Sequence, residues 1–473
     1  LSVDGATITV VTDEAGRRRL GWRLLGVAVL AVSALPLAWH YLVSYPQEIL
    51  QVDLAVYREG ARGLVTGFPL YDLRTEQPQF LPFTYPPFAA FTALPLLLAP
   101  FGVIVWVWTA LQYGLLWFTV GLAFRPLIDR AGVRGGLVQG LLAAAGVWLL
   151  PVAEGVRYGQ VNAVIVALCL WDLTRKAPAD DPDQPKRWLG GSGVGVALAA
   201  AVKLTPSVFW LHWAVARRWR VLAVSILTVV LVTGASWLLL PPASSTYWTD
   251  AILDPTRLGP NAGTSNQSIR GVLLRLGPDP GPLASGIWAL CAVLVLAGGL
   301  SLARRFDRLG EPVAVVAVMG MVAFLISPVS WVHHMHWGVV VIGALLGDGR
   351  DRRRIAAAFT AAVLLWCRLP WWGANLVADP HANRVLARLV QNSYSIWAIL
   401  ALVALWLLVA RSAVPAVPEA PVVPEAPALP EAEAEAGPEQ SEQPEALVSP
   451  RPAPAPDDRP ADSPVPPAPA RSD

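Results

Sequence analysis

Charge is scarce in this chain: 15% of its 473 residues are Asp, Glu, Lys or Arg, against 55% hydrophobic. That balance excludes an ordinary soluble domain, and no nucleic-acid partner is expected. Cysteine is nearly absent, with Cys169, Cys291 and Cys367 each inside an apolar run and no CxxC pair. A disulfide framework and thiol chemistry are therefore excluded, and the three thiols read as packing residues. Walker loops, GxGxxG turns opening a helix after a strand, and DxD pairs are all missing, which argues against a nucleotide-sugar or ATP site. Repeats of 20–50 residues are not visible. A cleavable leader is also lacking, because Arg17-Arg18-Arg19 runs into a long apolar stretch without a small-residue cleavage site. That stretch reads as a first transmembrane helix. A start at Leu1 points to an unusual start codon or a truncation at the true N-terminus.

What is abundant is apolar sequence in membrane-length runs, together with 21 tryptophans. A bilayer core needs roughly 20 apolar residues of helix, and indoles settle at its interfaces. Basic clusters mark the cytoplasmic side. They fall at Arg17–Arg19, Arg125/Arg130/Arg134, Arg175/Lys176 with Lys186/Arg187, Arg217/Arg218/Arg220, Arg304/Arg305/Arg308 and Arg350/Arg352–Arg354. With all six inside, spans are expected near 20–43, 103–124, 136–151, 160–174, 189–203, 204–216, 219–240, 284–303, 312–329, 334–347, 355–368 and 394–411. Both termini are then cytoplasmic. The fold class expected is an all-α polytopic membrane protein of about 12 spans.

Residues 84–100, TYPPFAAFTALPLLLAP, are apolar but carry four prolines. A crossing there would invert every later basic cluster, so an interfacial or re-entrant segment is expected. The organisation is a cytoplasmic segment 1–19, a membrane domain 20–411 with a first outer loop 44–102, and a Pro/Ala/Glu-rich tail 412–473. The tail buries too little apolar surface to offset its ordering entropy and is expected to be disordered and cytoplasmic. Partners for it are not specified by its sequence.

The polar residues collect on the outer side of this topology. Asp53, Tyr57, Arg58 and Glu59 lie in the first outer loop. Glu154, Arg157, Tyr158, Gln160 and Asn162 occupy the next outer turn, and Lys203 with Thr205 and Pro206 a break between two short helices. Asn266, Gln267, Ser268 and Arg270 precede the eighth span. His333, His334 and His336, half of the six histidines, lie in SPVSWVHHMHW. Ionisable groups at membrane depth are costly and usually line a pathway or a site. The pattern fits a pocket for a substrate that is part lipid and part polar.

Several motifs in order resemble one family. DLAVYREGA (53–61), GFPLYD (67–72), FTYPPFA (83–89), GQVN (159–162), VKLTP (202–206), SNQSIRG (265–271) and SPVSWVHH (327–334) look like those of the actinobacterial polyprenol-phosphate-mannose-dependent alpha-1,2-mannosyltransferases, glycosyltransferase family 87. The resemblance spans about residues 20–411. It implies the GT-C fold and a plasma-membrane enzyme acting at the outer face. The donor would be polyprenyl-phosphate-mannose and the acceptor a glycolipid or lipoglycan hydroxyl.

Such a transfer needs a base for the acceptor hydroxyl, stabilised charge on the phosphate, and a groove for the lipid. One displacement inverts the anomeric centre, so one carboxylate suffices. Asp53 matches the family's catalytic acid in its DLxVY motif; a solvated loop carboxylate or the N-cap of a helix over 54–64 would use the same residue. Glu59 is a weaker alternative. His333 and His334 match the family's SPxSWxHH motif and are expected at the donor phosphate with Lys203 and Arg270, while His336 suits a packed seam. Lys203 snorkelling to the interface is the alternative for that lysine. Tyr57, Gln160, Asn162, Asn266, Gln267 and Trp331 are candidates for sugar or acceptor contact. The amides would serve equally to join helices, and the aromatics to form an interfacial belt. Two same-face histidines make half a zinc site, so no metal and no soluble cofactor is expected. Rival readings keep the fold with lipid-linked arabinofuranose or glucose, or make the chain a transporter or flippase, for which paired inverted repeats are missing. A scaffold acting through the tail would not need acids and bases on the opposite face.

Overall fold

A helix that is apolar on every side can sit only inside a protein or in lipid, and this chain supplies both kinds. The computed structural model describes residues 2–46, 49–175, 192–277 and 281–411. Among these the chain forms twenty α-helices and no strand, with isolated bridges only between Arg74 and Pro82 and between Asn266 and Trp331. The tail, and the basic pair Lys186/Arg187, lie outside the described residues.

The order begins with α1 (Ser2–Trp39), α2 (Val52–Thr66), α3 (Pro87–Thr92), α4 (Phe101–Ala123) and α5 (Arg125–Arg130). Next come α6 (Gly135–Val147), α7 (Leu150–Tyr158), α8 (Asn162–Thr174), α9 (Val194–Val202) and α10 (Val208–Val215). α11 (Trp219–Leu239), α12 (Pro241–Thr246), α13 (Ile269–Leu276), α14 (Pro282–Arg308) and α15 (Pro312–Ile326) follow. α16 (Gly338–Leu346), α17 (Arg352–Trp366), α18 (Leu369–Ala378), α19 (Arg384–Gln391) and α20 (Ser393–Arg411) complete it.

Five of the described helices, α1, α4, α11, α14 and α20, are long and apolar enough to cross a bilayer, and seven segments qualify if two bent pairs each count once. The bent pairs refine the expected spans. The run expected over 136–151 breaks at Trp148–Leu149, and α7 leaves α6 at 71°. Leu149 departs from helical backbone (ψ 125°), and Pro151 takes the first turn of α7, where its missing N–H is no loss. The span expected over 355–368 likewise bends by 51° into α18, which carries Pro370 in its first turn. Residues 84–100 form a six-residue helix and a 3₁₀ turn, Leu94–Leu97, each far too short to cross. The helix expected from residue 20 starts at Ser2 and ends in a π-helical turn, His40–Ser44.

The remaining apolar helices are short and internal. Every residue of α15 from Ala314 to Leu325 is buried, with α8, α14, α16 and α20 packed round it. In contrast α11 and α14 expose Leu231, Leu238, Val293 and Leu294, as lipid-facing helices do. α1 meets α6 along Gly26, Gly136 and Gly140, where a Cβ on Gly140 would strike the backbone of Gly26. Small residues at such a crossing let two backbones approach when water cannot drive association. A second small core of Val56, Leu70, Tyr71, Phe83, Ala90 and Tyr247 fastens the first loop over α2.

Candidate active site

The site is built from helix ends and breaks. Asp53 is the second residue of α2, so it is not the N-cap; that place belongs to Gln51, whose φ is 40°. Gln51 is buried and its amide donates to Thr109 Oγ1 (2.8 Å) and to the Val156 carbonyl (3.1 Å), pinning the start of α2 to α4 and α7. α7 ends at Gly159, in left-handed backbone (φ 69°). A Cβ there would lie 2.6 Å from Leu54 Cβ. Glycine thus supplies both the turn and the close approach, and the next residue, Gln160, is delivered to the carboxylate. Gln160 Nε2 donates to Asp53 Oδ2 at 2.6 Å, and its Oε1 lies 3.2 Å from the Tyr57 hydroxyl. Tyr57 in turn sits 3.0 Å from the Tyr85 hydroxyl. Burial raises the Asp53 carboxyl to about 6, against the opposing pull of the Gln160 bond and the Lys203 charge.

Lys203 ends α9 in extended backbone (φ −151°), ahead of the 3₁₀ turn Thr205–Ser207. Its Nζ lies 3.3 Å from Asn162 Oδ1 and 2.8 Å from His334 Nε2. No carboxylate among the described residues lies within ion-pair distance of it. His334 Nδ1 accepts the Trp331 N–H at 3.1 Å, so the ring proton belongs on Nε2. That proton and the lysine ammonium are then two donors aimed at one place. Repulsive between themselves, they are complementary to an anion that accepts from both.

Asp53, Gln160, Lys203, His334, Tyr85 and Trp331 line one cavity of about 420 Å³. Pockets that bury small ligands run roughly 300–1,000 Å³. Arg74, Tyr247, Thr256 and Arg257 complete its wall.

The geometry separates the other candidates. His333 does not line this cavity: it is buried, with its ring edge-on to Tyr158 at 5.4 Å. The reason is the 3₁₀ turn Val332–Trp337, in which adjacent side chains diverge by about 120°. Arg270 also faces elsewhere, its guanidinium 6.0 Å from the Trp288 ring. Asn266 and Gln267 are fully buried and saturated by backbone. Asn266 Oδ1 accepts from the Ser268 and Ser330 amides, and Gln267 Oε1 from those of Tyr394 and Ser395. Their amide nitrogens donate to the carbonyls of Asn261 and Gln391. They hold the loop that carries them, with nothing left for a sugar. Asn162 donates to the His333 carbonyl (3.1 Å) and so positions Lys203 and the histidine turn together. Tyr57 acts behind Tyr85 and Gln160.

Arg257 is the residue that motif reading missed. It follows a turn in which Asp254 accepts the Thr256 N–H (2.9 Å), and its Nη2 donates to the Tyr71 carbonyl (2.9 Å). Its buried Nε has no partner among the described residues. An arginine between Pro255 and Gly259, in the segment that joins two apolar runs, was the available signal. Glu59 pairs with Arg62 at 2.9 Å, away from this cavity. Among the described residues no three His, Cys, Asp or Glu side chains group as metal ligands.

Residues 83–328 match the model of glycosyltransferase family 87, a stretch that carries Tyr85, Gln160, Lys203 and Arg257. The chain belongs to glycosyltransferase family 87. Similar to it is a polyprenol-phosphate-mannose-dependent alpha-(1-2)-phosphatidylinositol pentamannoside mannosyltransferase of Mycolicibacterium smegmatis, 36% identical over 80% of this chain and 86% of that protein. A polyprenol-phosphate-mannose-dependent alpha-(1-2)-phosphatidylinositol mannoside mannosyltransferase of Mycobacterium tuberculosis is 30% identical over 86% and 95%. An alpha-(1->3)-arabinofuranosyltransferase of Corynebacterium glutamicum is 25% identical over 55% and 59%. No solved structure matches the chain. In this family 87 glycosyltransferase the cavity brings a carboxylate and a pair of nitrogen donors to the same space.

Proposed function

We propose that this enzyme transfers mannose from polyprenyl-phosphate-mannose to a hydroxyl of a phosphatidylinositol-anchored mannoside, forming an alpha-1,2 linkage with inversion. The observation that carries this is the shared cavity: Asp53 held by Gln160 on one side, Lys203 and His334 Nε2 converging on another. The relatives named above support the donor and the acceptor class.

In this mechanism the Asp53 carboxylate takes the proton of the acceptor hydroxyl. The freed oxygen attacks the anomeric carbon on the face opposite the phosphate. The bond from that carbon to the phosphate oxygen breaks, and its electron pair leaves with polyprenyl phosphate. Lys203 and His334 donate to the phosphate as its charge develops. Arg257 provides a third donor at the wall. Trp331 and Tyr85 offer faces on which a sugar ring can rest.

The membrane arrangement is proposed with it. The enzyme has the GT-C fold, residues 20–411 form the catalytic domain, and the cavity opens on the outer face of the plasma membrane. α8, α9, α10, α15 and α16 would join the seven longer segments as short spans, making twelve, with both termini cytoplasmic. Short, broken spans are tolerated where protein shelters their free backbone groups, which matches their burial here.

A second reading, lipid-linked arabinofuranose as donor, is favoured by the Corynebacterium relative over a shorter length. The test is transfer from membranes bearing the wild type or Asp53→Asn. Each receives labelled polyprenyl-phosphate-mannose, or lipid-linked arabinofuranose, with a mycobacterial glycolipid extract. Mannosylated product from the wild type alone is expected. Arabinosylated product in its place would overturn the donor, and equal product from both proteins would remove Asp53 from the mechanism.

A further inference from the structure

A second concavity, of about 690 Å³, lies between α13, α14, α19 and α20 and takes no part in the cavity above. Its wall is almost wholly carbon, from Val272, Leu273, Leu294, Leu389 and Ile399 among others. Its rim is cationic. Arg384 and Arg388 of α19 line it, and Arg275 of α13 lies close enough to Arg388 to feel its charge. Arg275 spends its guanidinium on Asn392 Oδ1 (2.9 and 2.6 Å) and the Gly263 carbonyl (2.7 Å). Arg388 donates to Gln391 Oε1 at 2.8 Å. None of the three has a carboxylate within ion-pair distance among the described residues. α19 also exposes Val385, Leu386 and Leu389 beside its arginines, the pattern of a helix lying in a membrane interface. A greasy groove rimmed by uncompensated guanidinium groups is complementary to acyl chains that end in an anionic headgroup.

One loop links the groove to the cavity. Gln267 grips the α19–α20 junction through Gln391, Tyr394 and Ser395. Its neighbour Asn266 bridges to Trp331, which lines the cavity. The donor carries one phosphate, and as leaving group that phosphate must sit in the cavity with the carboxylate. A second anion site one loop away therefore serves a second lipid.

We propose that this groove holds the acyl chains of the phospholipid anchor of the acceptor, with Arg384 and Arg388 on its phosphodiester. The assignment rests on the function proposed above for the partner's identity as acceptor. Binding, however, is read without turnover. Full-length protein in mild detergent would be titrated with phosphatidylinositol, phosphatidylcholine or polyprenyl phosphate, and bound lipid counted by native mass spectrometry. The wild type and Asp53→Asn should retain phosphatidylinositol in preference to phosphatidylcholine. Arg384→Gln/Arg388→Gln should weaken that retention about tenfold or more, as loss of charge-assisted hydrogen bonds does. Arg384→Lys/Arg388→Lys should recover part of it. Leu273→Trp, which leaves the charges and fills the groove, should weaken it too. Unchanged phosphatidylinositol retention in the double Gln variant or in Leu273→Trp, with both melting like wild type, overturns the proposal. Selective loss of polyprenyl phosphate in those variants overturns it as well, by giving the groove to the donor. Failure of mannose transfer with the binding pattern intact would strike the donor reading and leave the groove supported.

Discussion

At the scale of residues, the proposed chemistry turns on one carboxylate in a partly dry place. As the proposed base Asp53 must be ionised, and burial raises its carboxyl to about 6. The sign follows directly: below that pH the group is protonated and transfer is slow, and above it the carboxylate is present. We expect kcat/KM to rise tenfold per pH unit on the acid side and to level off above about 6. Asp53→Asn should lower transfer by about 10²–10⁴-fold and flatten that acid limb; a limb that persists in the variant would assign it to another group. Lys203→Met should cost about 10²–10³-fold in kcat, as loss of a single charge-stabilising donor does, with Lys203→Arg less affected. Asn266→Ala tests the opposite role. It orphans the buried Ser268 and Ser330 amides, so about 1–3 kcal/mol of stability should be lost, read as a lower unfolding temperature. A change confined to sugar affinity, with stability intact, would restore Asn266 to the binding site.

At the scale of elements, the geometry of the cavity depends on where helices stop. α7 must end at Gly159 so that Gln160 meets Asp53, and α9 must end at Lys203 so that its ammonium meets His334. Gly159→Ala puts a Cβ into left-handed backbone and against Leu54. We expect about 1–3 kcal/mol of destabilisation, together with a loss of activity as α7 and α2 move apart. Gly234→Ala, in the middle of α11 with open space around its Cβ position, is the matched control. It should be neutral or slightly stabilising, because alanine favours helix over glycine. Equal melting temperatures for Gly159→Ala and the wild type would show that the α2–α7 contact is not strained. The histidine turn makes the same point from sequence. Regular helix spacing would put His333 and His336 together on one face and His334 off it. The 3₁₀ turn keeps that division, and it is the His334 side that faces the cavity.

At the scale of the whole molecule, the polar motifs of distant segments meet because the helices between them are buried on all sides. The proposed sidedness is testable in a background with Cys169, Cys291 and Cys367 replaced. A membrane-impermeant maleimide should label Asp250→Cys on intact cells, and Arg350→Cys only after permeabilisation. Labelling of both from outside would overturn the topology. Those two positions flank the cavity side and the basic side, so reversed labelling would also turn the active site inward.

Composition and charge order by themselves determined that this is a helical membrane chain. The lengths of the apolar runs placed the centres of the longer helices, because burying twenty apolar residues in lipid or protein leaves little choice of form. The motif order was enough to indicate the family, and Asp53, Gln160, Lys203, His334 and Trp331 were all legible as polar or aromatic residues where such residues are costly. Only the tertiary structure decided which candidates share a cavity. Arg270 and Arg257 are alike in type and thirteen positions apart, one in the first turn of α13 and the other in the 3₁₀ turn Pro255–Leu258, yet one stacks on Trp288 and the other lines the cavity. Nothing in the residue type distinguishes them, since the difference depends on what each segment packs against. Asn266 and Gln267 looked like sugar ligands for the same reason that they make good clamps: an amide offers a donor and an acceptor at once. Whether backbone or substrate takes them up depends on what stands within 3 Å, which is a property of the fold and not of the residue.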